Sequence, residues 1–179
     1  EYQAALKLEP ESIEVLDGLG QALLRCDRVD DARDAFLDAL ALAGPDTDTQ
    51  VARALAEEDA RRAMGGGVEE KSGRTAVLST QREADVGERT VTTALLLTHL
   101  ATALLDRGDS KAAVEALRSA IRLQPKLGEA YYQMGRAMHA RGKTRKAVTA
   151  HRTAVEITPD DPNAYVGLGL ALTEEGYTE

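Results

Sequence analysis

The sequence predicts an all-α protein, a solenoid built from helix–turn–helix repeats. Of its 179 residues, 43% are hydrophobic but only 3% are aromatic, and Trp is absent. This composition suits close-packed helices with small aliphatic side chains better than a β-sandwich. Apolar residues also recur with a constant long period, the spacing that separates Leu97 from Tyr131 and Tyr131 from Tyr165. Within each period they follow i, i+3, i+4 and i+7 spacing, which places them on one face of a helix.

The first helix of the repeat and the turn after it are clearest in the second half of the chain. Three columns at this constant spacing define them: Leu97, Tyr131 and Tyr165; Ala101, Gly135 and Gly169; and Gly108, Gly142 and Gly176. The small residues of the second column allow the two helices of a unit to cross closely. The glycines of the third column fit a left-handed turn that ends the first helix, because Gly adopts this conformation without steric cost.

The second helix of the repeat carries its own columns. These are Ala113 and Ala147, Ala120 and Ala154, and Pro125 and Pro159. Proline lacks a backbone N–H and therefore stops the helix before it. Near the amino end, Leu16, Leu19, Gly20, Ala32 and Phe36 repeat the pattern, with Asp27 at the turn position and Pro45 one position late. Tyr2, Ala5 and Pro10 resemble the tail of a preceding unit.

These columns resemble the tetratricopeptide repeat, a helix–turn–helix family with a unit of about 34 residues and the pattern W-x₂-L-G-x₂-Y…A-x₃-F…P. The best match begins at Tyr131, passes through Gly135 and Ala147, has His151 at the Phe position and ends at Pro159. The resemblance implies a right-handed superhelical solenoid whose first helices line a concave surface. It also implies a protein whose role is to bind other proteins, because stacked units build an extended binding surface.

The period breaks in the middle of the chain and divides it into three parts. Leu19 and Leu100 occupy the same column, yet they are thirteen positions further apart than two repeats require. We therefore expect an amino-terminal block at 1–46, an irregular segment at 47–87 and a carboxy-terminal block at 88–179. The irregular segment is either a degenerate repeat with an insertion, which keeps the solenoid continuous, or a helix at about 47–64 followed by a flexible linker. In both readings 68–82 is a mobile loop and a helix restarts near Glu88.

Charge is distributed unevenly. The net charge is −8, yet residues 1–50 carry −8 and residues 107–152 carry +8. This asymmetry has three interpretations. The acidic and basic halves could be surfaces for different partners, they could associate head to tail with another copy of the chain, or they could be ordinary solvated helix faces. The overall acidity and the lack of aromatics among the basic residues argue against nucleic acid as a partner. No apolar run approaches the roughly 20 residues that cross a bilayer, which argues against membrane insertion.

The family resemblance places a candidate partner-binding site on the first helices. The residues expected to face the groove are Tyr132, Gln133, Arg136 and His139, flanked by Thr98, Thr102, Val166 and Leu170. Tyr132 and Arg136 are i,i+4 neighbours and share a helix face, although Tyr132 could instead pack against the next unit. A second candidate is a basic edge in the turn that follows, formed by Arg141, Lys143, Arg145 and Lys146.

The sequence offers little for catalysis. His151 occupies a core column, where we expect a packed and hydrogen-bonded imidazole, and Cys26 is expected to be buried. We expect neither a metal nor a cofactor. The predicted function is a protein–protein interaction scaffold. The alternative is the substrate-recruiting arm of a larger enzyme, such as a transferase, whose catalytic domain lies outside this chain. A cytoplasmic location is expected, although the chain reads as a fragment.

Overall fold

The computed structural model describes residues 12–43 and 83–176, with side chains from residue 90 onward in the second range. These ranges contain helices and no strand, as the sequence predicts for an all-α fold. The helices are α1 (Ile13–Arg25), α2 (Val29–Ala43), α3 (Glu83–Asp106), α4 (Ser110–Leu123), α5 (Gly128–Ala140), α6 (Thr144–Ile157) and α7 (Pro162–Glu175). None of these helices is both long enough and apolar enough to cross a bilayer.

Polar side chains begin several of the helices. The Ser12 hydroxyl accepts a hydrogen bond from the Val15 amide, and the Asp109 carboxylate accepts one from the Ala112 amide at 3.2 Å. Asp161 does the same for the Asn163 amide, with Pro162 as the first helical residue. Such caps satisfy amides that have no partner inside the helix. The starts of α1, α4 and α7 are thus encoded locally.

The turns between paired helices confirm the predicted left-handed conformation. Gly108, Gly142 and Gly176 have φ values of +85°, +67° and +85°, and Asp27 has +58°. Asp27 is thus the structural equivalent of the turn glycines, a conformation that Asp tolerates better than most residues. The expectation that Cys26 is buried is wrong, because Cys26 is exposed at the end of α1, beside this turn.

Each helix packs against the next along the chain, and the first helices of successive units also contact one another, α1 with α3, α3 with α5 and α5 with α7. The row of first helices is therefore continuous, which is the arrangement that makes them one surface. A single core of Leu and Ala side chains runs through the stack, with Phe36, Leu100 and Leu117 fully buried.

The small-residue column is explained by close helix crossing in two units. A Cβ added to Gly20 would lie 2.5 Å from the Phe36 ring, and one added to Gly135 would lie 2.4 Å from the His151 ring. Both distances are too short for real contacts, so neither position accepts a side chain without movement. Gly169 differs, because nothing lies within 4 Å of its hypothetical Cβ. The reason is that no second helix of that unit is among the described residues.

The first unit stacks directly on the unit that begins with α3. Helix α2 packs against α3, and Asp17 on α1 bonds His99 on α3 with 2.6 Å between Oδ1 and Nδ1. The described helices before residue 44 and after residue 82 are thus in direct contact. The expected helix at 47–64, the loop at 68–82, Pro45 and the partial unit at Tyr2–Pro10 lie outside the described residues, so they stay predictions. Helix α3 begins at Glu83, earlier than the expected restart near Glu88.

Candidate functional site: a cleft between α5 and α7

A cleft of about 380 Å³ lies between α5 and α7, with α6 beneath it. Five of the residues that the sequence places in the groove line this cleft: Tyr132, Arg136, His139, Val166 and Leu170. Their spacing explains why they come together. On α5 they occupy positions i, i+4 and i+7, and on α7 positions i and i+4, so each set lies on one helix face.

The α7 wall of the cleft is apolar and open to solvent. Val166 is 61% exposed and Leu170 is 65% exposed, which places them among the few large apolar side chains in the described residues that remain accessible. Ala171 extends the wall inward and is buried. Exposed apolar side chains grouped in a concavity are typical of a surface that a partner covers.

The α5 wall of the cleft is polar and held in place by hydrogen bonds. The Arg136 guanidinium donates to Gln133 Oε1 at 3.0 Å and, more weakly, to Asp106 Oδ1 at 3.4 Å. His139 Nδ1 lies 2.8 Å from Glu174 Oε2 across the cleft. These contacts fix the orientation of Arg136 at the rim while leaving other N–H groups of its guanidinium for an incoming acceptor.

His151 of α6 forms the floor of the cleft. It is only 3% exposed, and its ring leans against that of Tyr132 with 5.5 Å between ring centroids. Burial, together with the charge of nearby His139, lowers the pKa of His151 below its ordinary value, so the ring is neutral near pH 7. The expected packing of this residue is confirmed. The expected hydrogen bond is missing at Nδ1, which is buried and has no partner among the described residues.

Three of the predicted groove residues are not cleft residues. Thr98 is fully buried, and its hydroxyl donates to the Ala94 carbonyl four residues earlier in α3. Gln133 is also buried and acts by holding Arg136. Thr102 is half-buried and donates to the Thr98 carbonyl. The prediction that Thr98 and Gln133 present their side chains to the groove is therefore wrong.

Leu105 and Glu174 line the cleft but were missed by the sequence reasoning. Leu105 lies one full repeat before His139 and so occupies the same column. The repeat spacing alone could therefore have predicted Leu105 as a cleft residue. Glu174 follows from the α7 face, at the i+4 position from Leu170.

The basic edge lies apart from the cleft lining. Arg141 and Lys143 are in the turn after α5, whereas Arg145 and Lys146 are in the first turn of α6 and not in the turn itself. Arg145 Nε lies 3.1 Å from Glu175 Oε1. Because Arg141 and Lys146 lie near the exposed Lys143, their positive charges lower its pKa.

Solved structures of known proteins share this fold. MamA superimposes with a TM-score of 0.60 at 22% identity, over 98% of this chain and 75% of that chain. The TPR domain of Arabidopsis OM64 gives 0.58 at 15% identity, over 90% and 94%. The second TPR domain of human RPAP3, solved with an HSP70 peptide, gives 0.55 at 15% identity, over 89% and 98%. No curated protein sequence matches this chain significantly.

Family models agree with the repeat columns over most of the chain. Tetratricopeptide repeat models match residues 1–47 and 94–127, and a TPR repeat model matches residues 135–176. The matches cover the amino-terminal unit and the units built from α3 to α7. The chain belongs to the tetratricopeptide repeat family.

Proposed function

We propose that this chain is a protein-interaction scaffold that binds a partner peptide or domain in the cleft between α5 and α7. The observation that carries the proposal is the composition of that cleft. Exposed Val166 and Leu170 face an arginine that internal hydrogen bonds hold in place. Apolar anchors beside a fork-shaped cation are typical of the residues that dominate binding energy at protein interfaces.

The row of first helices supports an extended partner. Because α1, α3, α5 and α7 contact one another in sequence, a peptide leaving the cleft can continue along the same surface. Asp17 and Gln21 stand at its far end on α1, joined by a hydrogen bond of 2.9 Å. The surface thus changes from acidic and polar at α1 to apolar at α7, with the cation Arg136 between them on α5, which gives a bound segment a preferred direction.

The relatives support a peptide as the kind of partner. The second TPR domain of human RPAP3 is solved with an HSP70 peptide, so a fold of this kind can bind a peptide. That likeness concerns the fold alone.

The proposal is tested by two substitutions in the cleft. A partner is first identified by affinity capture and its binding is then measured with purified proteins by calorimetry. Leu170→Gln should weaken binding by about 1–2 kcal/mol, since it removes an apolar anchor, and Arg136→Gln by about as much, since it removes the cation at the rim. Leu170 is largely exposed, so its replacement should leave the helical circular dichroism signal unchanged.

A matched control uses the same helix. Tyr165 is 50% exposed on α7 and does not line the cleft. Tyr165→Gln removes a comparable apolar surface and should leave the affinity unchanged. If Tyr165→Gln weakens binding while Leu170→Gln and Arg136→Gln do not, the partner uses another face of α7 and the cleft is not the binding site.

The basic edge provides a second contrast. Replacing Lys143, Arg145 and Lys146 by Gln should mainly slow association at low salt, because exposed charges steer encounter more than they hold a complex. A loss of affinity that persists at high salt would instead assign recognition to this edge.

A further inference from the structure

The basic edge carries positive charge that the described part of the protein leaves largely unpaired. From residue 130 to 155 the sequence contains six Arg or Lys residues and no Asp or Glu. Within the edge, Arg145 pairs with Glu175, whereas Arg141, Lys143 and Lys146 have no acidic partner among the described residues. Like charges held close together repel one another, so an acidic surface placed against this edge is stabilised by it.

An acidic surface lies on α2, at the other end of the described stack. Helices α1 and α2 with their turn contain seven acidic and three basic residues. Asp31, Asp34 and Asp38 are exposed and occupy positions i, i+3 and i+7, so they share one face of α2. Arg28 pairs with Asp31 and Arg33 with Asp34, whereas Asp38 has no basic partner among the described residues. The first unit thus remains acidic after its internal ion pairs are counted.

The repeat places the two charged surfaces on equivalent helices. Because α2 and α6 are both second helices of their units, Asp30 and Asp31 occupy the same columns as Arg145 and Lys146. The unit formed by α3 and α4 lies between them, and α2 and α6 do not pack against each other. A contact between the acidic face of α2 and the basic edge therefore joins two copies of the chain.

The chemistry of the edge favours an acidic protein surface over a nucleic acid. Between Arg141 and Arg152 the sequence has no Phe, Tyr or Trp, the side chains on which bases stack. The chain itself supplies the complementary acidic surface. Each copy carries a net charge of −8, but physiological salt screens charges beyond about 8 Å, so the surfaces that face each other decide the interaction.

We propose that the basic edge packs against the acidic face of α2 in a second copy of this chain. The association goes beyond the proposed scaffold function, because it uses neither wall of the cleft. Exposed ion pairs each contribute little, so the association is weak and sensitive to salt. Copies joined in this way bring their clefts together, which raises the apparent affinity for a partner that carries repeated binding segments.

The test measures the self-association of the purified chain by sedimentation velocity over a series of protein concentrations. The series is recorded at about 0.1 M and about 1 M NaCl, between which the Debye length falls from about 10 Å to about 3 Å. We expect reversible association at the lower salt concentration. The dissociation constant should rise at least about tenfold at the higher one, as expected of contacts between exposed charges.

Charge reversal on each surface identifies the two sides of the contact. The variants Lys143→Glu/Lys146→Glu and Asp34→Lys/Asp38→Lys should each remain monomeric, because like charges then face each other. An equimolar mixture of the two variants should associate again, since the reversed edge of one copy meets the reversed α2 of the other. All four side chains are exposed, so the helical circular dichroism signal of each variant should match that of the parent.

A matched control separates the edge from a general effect of charge. Lys126 is exposed in the turn between α4 and α5, outside both surfaces. Lys126→Glu changes the net charge as much as Lys146→Glu does, yet it should leave the association unchanged. If Lys126→Glu weakens the association as strongly as Lys146→Glu, the edge is not the contact.

Three other outcomes would overturn the inference. They are a parent that stays monomeric at millimolar concentration in the lower salt, a mixture of the reversed variants that does not associate, and a monomeric parent whose edge binds an oligonucleotide. The last result would assign the edge to nucleic acid. None of these results bears on the proposed scaffold function, which is judged by Leu170→Gln and Arg136→Gln on partner binding.

Discussion

Replacing Gly135 by Ala tests the helix crossing on which the third unit is built. The new Cβ would lie 2.4 Å from Cε1 and Nε2 of His151 and 2.6 Å from Nδ1, so it meets the face of the ring. The ring is buried, leans on Tyr132 and lies against Gly167, so it has little room to move. Either the imidazole or α5 must shift by several tenths of an ångström.

Two effects of this substitution oppose each other. Overpacking a buried contact costs about 1–3 kcal/mol. Ala favours a helix interior over Gly by about 0.5–1 kcal/mol. Because the contact is with a rigid ring, we expect the cost of overpacking to exceed the gain in helix propensity. The free energy of unfolding should fall by about 1–2 kcal/mol and the melting temperature by about 3–6 °C. Thermal and urea unfolding followed by circular dichroism measure the loss.

The repeat supplies its own control. Gly169 occupies the same column, but nothing lies within 4 Å of its hypothetical Cβ. Gly169→Ala should therefore gain up to about 1 kcal/mol from helix propensity alone. In the double variant Gly135→Ala/His151→Ala the clash disappears, so its destabilisation should be smaller than the sum of the two single effects. The reasoning is refuted if Gly135→Ala melts as high as Gly169→Ala or if the two single effects are additive.

Two further predictions concern the junction between units and the turns. Burial alone would lower the pKa of His99, but the hydrogen bond to Asp17 and the charges of Asp17 and Glu129 outweigh it and raise the pKa. The stabilisation by protonated His99 paired with Asp17 is fully present below about pH 6.5, and it is lost as the pH rises through the folded-state pKa. In urea unfolding, the parent should therefore be more stable than Asp17→Asn at pH 6, and this difference should shrink towards pH 8. An advantage independent of pH would contradict the pairing. Gly142 has φ +67° with open space around it, so Gly142→Val should cost about 1–2 kcal/mol and Gly142→Asn less; equal melting of both with the parent would show that the turn is not left-handed.

The regular part of the fold was predictable because each element has a local cause. Gly108 and Gly142 mark the turns, and Pro125 and Pro159 follow the ends of α4 and α6, as their backbone chemistry requires. Even the exception at Asp27 was located by the period, since it is the residue at the turn column. What repeats in the sequence thus repeats in the structure.

The site was predictable only in part, because a position in a column does not determine its environment. Thr98 and Tyr132 are one repeat apart in the same column, yet Thr98 is buried while Tyr132 lines the cleft. The difference lies in what surrounds each side chain: the Thr98 hydroxyl donates to the Ala94 carbonyl within α3, whereas Tyr132 leans on the ring of His151 beside the cleft. Likewise, the column predicted that His151 is packed, but the unpaired state of its Nδ1 depends on three helices at once and has no signal in the sequence.

The direct stacking of α2 on α3 has a consequence for the order of folding. Arg145 and Glu175, which bond between adjacent units near the carboxyl end, are 30 positions apart, whereas Asp17 and His99 are 82 positions apart. Loop-closure entropy grows with the logarithm of this separation, so the second contact costs about 1 kcal/mol more to form. Contacts that are local in sequence form fastest. Helices α3–α7 should therefore assemble first. Helices α1 and α2 should then pack against α3 in a later step.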